Sequence, residues 1–153
     1  MKSSLARSGI IVLPCGAGKT LVGVAAACTV KKSCLVICTS SVSVQQWQAE
    51  FLKWSTVPKN KVATCTANAK DALDPECGIV ITTYSMLAVA DDRRSDTAKK
   101  VVALLTAREW GLMVLDEVHV TPATMFKNAL GRFKAHLKLG LTGALRRPGE
   151  YQD

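Results

Sequence analysis

The stretch that decides the fold is "LPCGAGKT", residues 13–20. It lies between an apolar run, "SGIIVL" at 8–13, and an Ala- and Val-rich segment, "TLVGVAAACTV" at 20–30. The first run predicts a strand and the second a helix, so the glycines fall at a strand-to-helix turn. In a parallel sheet such turns lie at the carboxyl ends of the strands, where ligands collect. We therefore expect this turn to hold a ligand.

The glycines and the lysine of the turn suit a phosphate group. Gly16 and Gly18 allow backbone angles that a side chain forbids, so successive N–H groups can point at one anion. The N-terminus of the next helix adds partial positive charge. Lys19 can then reach the outer phosphates, and the Thr20 hydroxyl can bind magnesium. Because Leu13 replaces the first glycine of the pattern G-x-x-x-x-G-K-[ST], a glycine turn followed by an exposed lysine is the alternative.

Length and composition are those of one folded domain. Apolar residues make up 48% of the 153 positions and charged residues 21%, and no apolar run reaches the roughly 18 residues of a membrane span. The formal net charge of +8 favours a polyanionic partner, nucleic acid above all. The alternative is a basic surface that serves solubility alone.

The six cysteines predict buried thiols rather than a zinc site, because none belongs to a C-x-x-C pair. Cys34 and Cys38 are four residues apart in an apolar run, so on a strand they share one face. Thiols of this kind are typical of a reducing compartment, the cytosol or the nucleus.

Strand-like and helix-like segments alternate along the chain. This alternation predicts an α/β fold with a mostly parallel sheet of about six strands and helices on both faces. The predicted strands are 8–13, 33–39, 61–66, 78–83, 111–116 and 137–143. The predicted helices are 20–30, 42–54, one from 84 onward, 98–110 and 123–136. Helix 42–54 places Val44, Trp47, Phe51 and Trp54 at helical spacing.

A second candidate site is "LMVLDEVH", residues 112–119. The apolar run predicts a buried strand that delivers Asp116 to the sheet edge, where a magnesium partner is needed. Glu117 could accept a proton from an attacking water or orient it, and His119 follows closely enough to sense the same site. The alternative is a helix N-cap at Asp116 with an acidic first turn.

The order of "GAGKT", "DEVH" and "LTGAL" resembles that of the first RecA-like domain of superfamily 2 helicases. The segments "EWGLMVLDEVH" and "AHLKLGLT" are similar to the xeroderma pigmentosum group B family of DNA helicases within that superfamily. The similarity runs from about Arg7 to Leu145. It implies a RecA-like P-loop NTPase domain over residues 1–153, with the second RecA-like domain of these enzymes absent.

The resemblance implies ATP and Mg2+ as cofactors, bound between motif I and motif II. The implied nucleotide-binding turn is Pro14, Cys15, Gly16, Ala17, Gly18, Lys19 and Thr20. The implied catalytic residues are Lys19, Asp116, Glu117 and His119, and the implied metal ligands are Thr20 and Asp116. Motif III is Thr142, Gly143 and Ala144. Ala144 lacks the hydroxyl that the family usually carries, which puts coupling of hydrolysis to DNA movement in doubt.

Nucleic-acid contacts are expected from motif Ia, at Ser40 and Gln46, and more weakly from Thr82 and Thr83. Hydroxyl and amide groups suit the backbone of DNA because they bind it without reading sequence. Strand-end and helix-cap chemistry is an equally weighted alternative for these four residues.

The implied function is that of an ATP-dependent DNA helicase or translocase in transcription initiation and nucleotide excision repair. The implied partners are DNA and other subunits of a transcription and repair factor complex, in the nucleus. Without the arginine fingers of a second domain, we expect weak or no turnover from this domain alone. The alternatives are a non-catalytic nucleotide-binding or docking module and a restriction-type translocase.

Overall fold

The computed structural model describes residues 8–14, 17–66, 78–88, 93 and 95–143. Within these ranges six strands alternate with five helices, as the sequence predicted. The strands are β1 Ser8–Val12, β2 Cys34–Cys38, β3 Val62–Cys65, β4 Ile79–Thr83, β5 Glu109–Leu115 and β6 Lys134–Thr142. The helices are α1 Lys19–Val30, α2 Ser41–Trp54, α3 Tyr84–Ala88, α4 Asp96–Ala107 and α5 Ala123–Arg132, with a 3-10 turn at Lys59–Lys61.

All six strands form one parallel sheet in the order β1-β6-β5-β2-β4-β3. The strand before the glycine turn, β1, therefore pairs with β6, and β6 pairs with β5, the strand before the acids. This order brings the carboxyl ends of β1, β6 and β5 side by side at one edge of the sheet. The three motifs that follow these strands consequently meet there.

Helices cover both faces of the sheet and enclose two apolar cores. On one face α1 and α2 pack against the sheet through buried residues that include Val24, Val44, Trp47 and Phe51. On the other face α3, α4 and α5 do so through residues such as Met86, Leu105 and Ala129. The central strand β2 is buried along its whole length because it is covered on both faces.

Cys34 and Cys38 lie on the same face of β2, toward α1 and α2, as their spacing predicted. Burial raises the pKa of the Cys34 thiol to about 12 and that of Cys38 further still. Both thiols are therefore protonated at neutral pH and pack as small apolar groups. In the described part of the chain no cluster of three or more His, Cys, Asp or Glu could hold a metal ion.

Two helix predictions ran too far toward the C-terminus. The helix expected at 98–110 ends at Ala107, and β5 begins at Glu109. The helix expected at 123–136 ends at Arg132, and β6 begins at Lys134. Glu109 pairs with Lys134 at the start of the two strands. Pairing between distant segments therefore overrode the local helical pattern at both sites.

The apolar face of α2 is shorter than predicted. Val44, Trp47 and Phe51 are buried, but Trp54, the last residue of α2, is 53% exposed. Its indole N–H donates to Glu50 Oε2 at 2.6 Å. No helix among the residues placed by the structure is long and apolar enough to cross a membrane.

Candidate functional site

The glycine turn follows β1 and opens α1. Leu13 N–H donates to Thr142 O at 2.9 Å, and Ala17 N–H donates to Pro14 O at 3.0 Å. Gly18 has φ 85° and ψ 35°, a left-handed conformation that strongly favours glycine. As the N-cap of α1 it has no side chain that could bond the first amide groups of the helix. These amides are thus left for an anion. Cys15 and Gly16 lie outside the described residues.

The acids lie at the carboxyl end of β5. Asp116 N–H donates to Ile37 O at 2.9 Å, which continues the pairing of β5 with β2 beyond the end of the strand. Asp116 is only 8% exposed, and Glu117 has φ 51°, an uncommon conformation for a residue with a side chain. The next helix begins at Ala123, so the alternative of a helix N-cap at Asp116 is wrong.

The glycine turn and the acids lie against each other. Lys19 Nζ is 2.5 Å from Glu117 Oε1, although the two residues are 98 positions apart. Glu117 Oε2 is also 3.2 Å from His119 Nδ1, and the same nitrogen is 2.8 Å from Thr142 Oγ1. The Lys19, Glu117 and His119 side chains are only 12%, 28% and 24% exposed. Lys19 at the start of α1, the residues after β5 and Thr142 at the end of β6 thus form one continuous polar cluster.

The environment of Asp116 favours a nearby cation. Burial raises the pKa of its carboxyl above the ordinary value. A hydrogen bond from Trp47 opposes this rise, the charge of Glu117 adds to it, and the charge of Lys19 opposes it. A divalent cation beside Asp116 would stabilise the charged carboxylate that burial disfavours.

These residues fit a magnesium-bound nucleotide. Magnesium is usually held by one or two carboxylates together with substrate phosphates and waters, so a larger cluster of protein ligands is not required. The open first turn of α1, the Lys19 ammonium and the Thr20 hydroxyl are suited to the phosphates and the metal. Asp116 and Glu117 provide one buried and one partly exposed carboxylate at the same place.

The four expected nucleic-acid contacts divide into two groups. Ser40 and Gln46 are exposed, and Ser40 also caps α2 by accepting from Ser43 N at 3.2 Å. Thr82 is fully buried, and Thr83 is 4% exposed and accepts from Met86 N at 3.2 Å. Thr82 and Thr83 therefore cannot contact a nucleic-acid backbone here, and the expectation for them is corrected. For Thr83 the helix-cap alternative applies.

Motif III is only partly described. Thr142 is buried at the end of β6 and contacts His119, and Gly143 follows it half-buried. Ala144 lies outside the described residues.

Two residues at the site were missed by the sequence reasoning. Trp47 Nε1 donates to Asp116 Oδ2 at 2.9 Å, and the Tyr84 hydroxyl donates to Asp116 O at 3.0 Å. Trp47 was predicted only as part of the apolar face of α2. The available signal was its chemistry, because a buried indole N–H or phenol O–H usually finds a polar partner.

The parallel sheet, the glycine turn and the acids after β5 are features of a RecA-like domain, and its relatives in sequence place it in the superfamily 2 helicase class. The chain belongs to the family described as "Type III restriction enzyme, res subunit", whose sequence profile matches residues 3–147. The RecA-like α/β fold predicted from the sequence is confirmed by the solved structures described below.

The curated relatives that it resembles are more specific. It is 54% identical over 148 residues to the "General transcription and DNA repair factor IIH helicase/translocase subunit XPB" of Schizosaccharomyces pombe. It is 56% identical over 142 residues to the corresponding XPB/SSL2 subunit of Saccharomyces cerevisiae. These matches cover 97% and 93% of this chain but only 18% and 17% of the relatives. The predicted resemblance to group B helicases is confirmed, for a segment less than one fifth as long as those proteins.

Solved structures support the fold. The UvsW helicase from bacteriophage T4 superposes with a TM-score of 0.70 at 18% identity, covering 92% of this chain and 48% of that one. The Pyrococcus furiosus Hef helicase domain gives a TM-score of 0.66 at 19% identity, covering 92% and 30%. At these identities the likeness concerns the fold alone.

Proposed function

We propose that this chain is the ATP-binding motor domain of a DNA-dependent helicase or translocase. The observation that carries the proposal is the contact of Lys19 Nζ with Glu117 Oε1 at 2.5 Å, because it joins the glycine turn to the acids. A lysine at a glycine turn and a carboxylate pair at a neighbouring strand end are the parts that ATP hydrolysis requires. The names of the relatives, helicase/translocase subunits, support the same class of activity.

Each residue of the cluster has a distinct proposed role. The glycine turn and the first turn of α1 would present backbone N–H groups to the phosphates, and Lys19 would neutralise the outer phosphates. Thr20 and Asp116 would hold magnesium, which would supply positive charge beside the transferred phosphoryl group. Glu117 accepts a proton from the attacking water or orients it.

We propose that a bound nucleotide would separate Lys19 from Glu117. A triphosphate carries more negative charge than a single carboxylate, so it competes with Glu117 for the Lys19 ammonium. Once released, the Glu117 carboxylate is available to the attacking water. The left-handed backbone at Glu117, φ 51°, is a strained conformation of the kind that collects at functional sites.

We propose that His119 and Thr142 couple ATP hydrolysis to movement along DNA. The 2.8 Å contact between His119 Nδ1 and Thr142 Oγ1 connects the acids to motif III. The exposed Ser40 and Gln46 side chains are proposed to contact the DNA backbone. By analogy with the relatives' names, the domain acts in transcription and DNA repair as part of a factor IIH-type complex. The resemblance to group B helicases extends the proposal to excision repair in the nucleus.

Replacement of Lys19 by alanine tests the proposal. We expect the Kd for ATP with magnesium to rise about ten- to a hundredfold, because a charge-assisted contact is lost. Isothermal titration calorimetry on the purified chain measures this change. The matched control is Lys134→Ala, an exposed lysine at the opposite end of the sheet, which should leave the Kd unchanged.

Equal binding by wild type and Lys19→Ala would show that Lys19 is not in the nucleotide site. No binding by the wild-type chain would favour the alternative of a docking module without nucleotide.

A further inference from the structure

Trp47 contacts the candidate metal ligand directly. Its indole Nε1 lies 2.9 Å from Asp116 Oδ2, across 69 positions of sequence. The two residues are 1% and 8% exposed, so water does not compete freely for the contact. A hydrogen bond to a charged group that is removed from water is stronger than one between neutral groups.

The indole ring is held in place by the helix that follows the glycine turn. A Cβ atom at Gly23 would lie 2.4 Å from Trp47 Cη2 and 2.8 Å from Cζ3, closer than atoms approach. The ring therefore fills the space that the missing side chain leaves on α1. Phe51, one turn further along α2, supports it with ring centroids 6.1 Å apart. The N–H donor is thus fixed relative to α1, whose first residue is Lys19.

Both oxygens of Asp116 have a donor. Oδ2 accepts from Trp47, and Oδ1 accepts from the backbone N–H of Glu117 at 2.9 Å. Two bonds from fixed donors prevent the carboxylate from rotating. The remaining lone pairs then point in set directions, which is how partners of a metal ligand orient it.

We propose that Trp47 is a positioning residue that orients the Asp116 carboxylate for magnesium. This inference rests on the proposed function, because it assumes that Asp116 binds the metal of a bound nucleotide. Through Trp47, α2 supports the metal site directly, in addition to covering the sheet.

A merely structural role is the competing explanation, and the chain provides the control for it. Trp110 is equally buried, at 0% exposure, and its Nε1 donates to Leu105 O at 3.0 Å. The hydrogen bond of the Trp110 indole goes to a backbone carbonyl rather than to an acid. Trp47→Phe and Trp110→Phe each remove one buried indole and one hydrogen bond, but only the first removes a bond to Asp116.

The experiment compares the Kd of ATP in excess Mg2+ with the Kd in EDTA, for wild type and both variants, by calorimetry. The Kd in EDTA divided by the Kd in Mg2+ measures how much the metal contributes to binding. We expect Trp47→Phe to lower this ratio about tenfold with the EDTA value unchanged, since a bond to a charged group is lost. Trp110→Phe should keep the wild-type ratio, whatever its effect on thermal stability.

Suppose that the wild-type chain binds ATP more tightly with magnesium. An equal ratio in Trp47→Phe would then overturn this inference and leave the proposed function intact. A wild-type chain that binds ATP equally in Mg2+ and in EDTA would overturn the proposed function, and this inference with it.

A second measurement covers the case in which Trp47→Phe does not fold. The indole N–H signals of the wild-type chain are followed by 1H–15N NMR while Mg2+ is added to the ATP-bound protein. Trp54→Phe and Trp110→Phe assign the signals. The Trp47 signal should shift while the positions of the other two signals stay the same. The reason is that Asp116, which accepts the hydrogen bond from Trp47, is the proposed metal ligand. A Trp47 signal that does not respond would overturn the inference.

Discussion

Each edge of the sheet carries a Glu–His pair, and the two pairs have similar distances but differ in exposure. At the carboxyl edge Glu117 and His119 are 3.2 Å apart with side chains 28% and 24% exposed. At the amino edge Glu109 and His136 are 3.0 Å apart with side chains 66% and 59% exposed. An exposed pair is screened by water and contributes little. Two residue types at hydrogen-bonding distance therefore do not by themselves make a functional site.

The two pairs also differ in the other residues that they contact. Glu117 also contacts Lys19, and His119 also contacts Thr142, so three strand ends contribute to the carboxyl-edge cluster. Its backbone includes the left-handed Glu117, which lies in the loop after β5, whereas the left-handed Lys31 near the other edge is the C-cap of α1. For a residue with a side chain such a conformation costs free energy, and outside helix caps it is enriched at functional sites.

The amino edge is built for packing instead. A Cβ atom at Gly111 would lie 2.4 Å from Lys32 Cβ and 3.2 Å from Ser33 O. Gly111 N–H donates to Ser33 O at 2.9 Å, which ties the start of β5 to the residue before β2. The comparison predicts that changes at the carboxyl edge alter function and that changes at the amino edge alter stability.

The largest expected effect is on turnover. Glu117→Gln should lower ATP hydrolysis by a factor on the order of a hundred or more, because the amide cannot accept the proton of the attacking water. ATP affinity should be unchanged or tighter, since Lys19 loses a competing charge. Single-turnover hydrolysis with protein in excess over labelled ATP measures this even if the domain is slow. Glu109→Gln, at the other edge, is the control and should hydrolyse ATP at the wild-type rate. Equal rates for the two variants would show that Glu117 does not activate the attacking water.

The next effect is on stability. Gly111→Ala should lower the free energy of unfolding by about 1–3 kcal/mol, because the added methyl group overlaps Lys32 Cβ. For a chain of this length the Tm should fall by several degrees, at roughly 2–4 °C per kcal/mol. Thermal unfolding followed by circular dichroism measures the shift.

Gly131→Ala in α5 is the matched control, because a Cβ atom there meets nothing within 4 Å. Alanine should stabilise that helix by about 0.5–1 kcal/mol. At a temperature where both variants are folded, their Kd for ATP with magnesium should equal the wild-type value. A weaker Kd in folded Gly111→Ala would contradict the separation of the two edges.

The smallest expected effect concerns coupling. His119→Ala removes the contacts with Glu117 and Thr142, so the stimulation of hydrolysis by DNA should fall by a factor of about 3–10. His136→Ala should leave it unchanged, because that side chain is exposed at the other edge. The ratio of hydrolysis rates with and without DNA measures the effect. The same ratio in both variants would show that His119 does not link the acids to motif III.

Much of the fold was predictable because its signals are local. The apolar run before the glycines predicted β1, and the run that stops at Asp116 predicted β5. The number of strands and their parallel direction followed from the alternation of the two periodicities. The errors lie where a distant partner decided the outcome. Trp110 was predicted to be helical but lies in β5 and pairs with β6. Thr82 was predicted to contact DNA but is buried in β4, an interior strand of the sheet.

The sequence by itself determined which chemical groups are available and where the chain turns, because glycine torsions, strand alternation and helix period depend on neighbouring residues. It also placed a lysine, a hydroxyl and two acids at predicted turns. Only the tertiary structure decided that Lys19 meets Glu117 across 98 positions and that Trp47 meets Asp116 across 69. Those contacts depend on the strand order β1-β6-β5-β2 and on burial between α1, α2 and the sheet, which are properties of the whole folded chain.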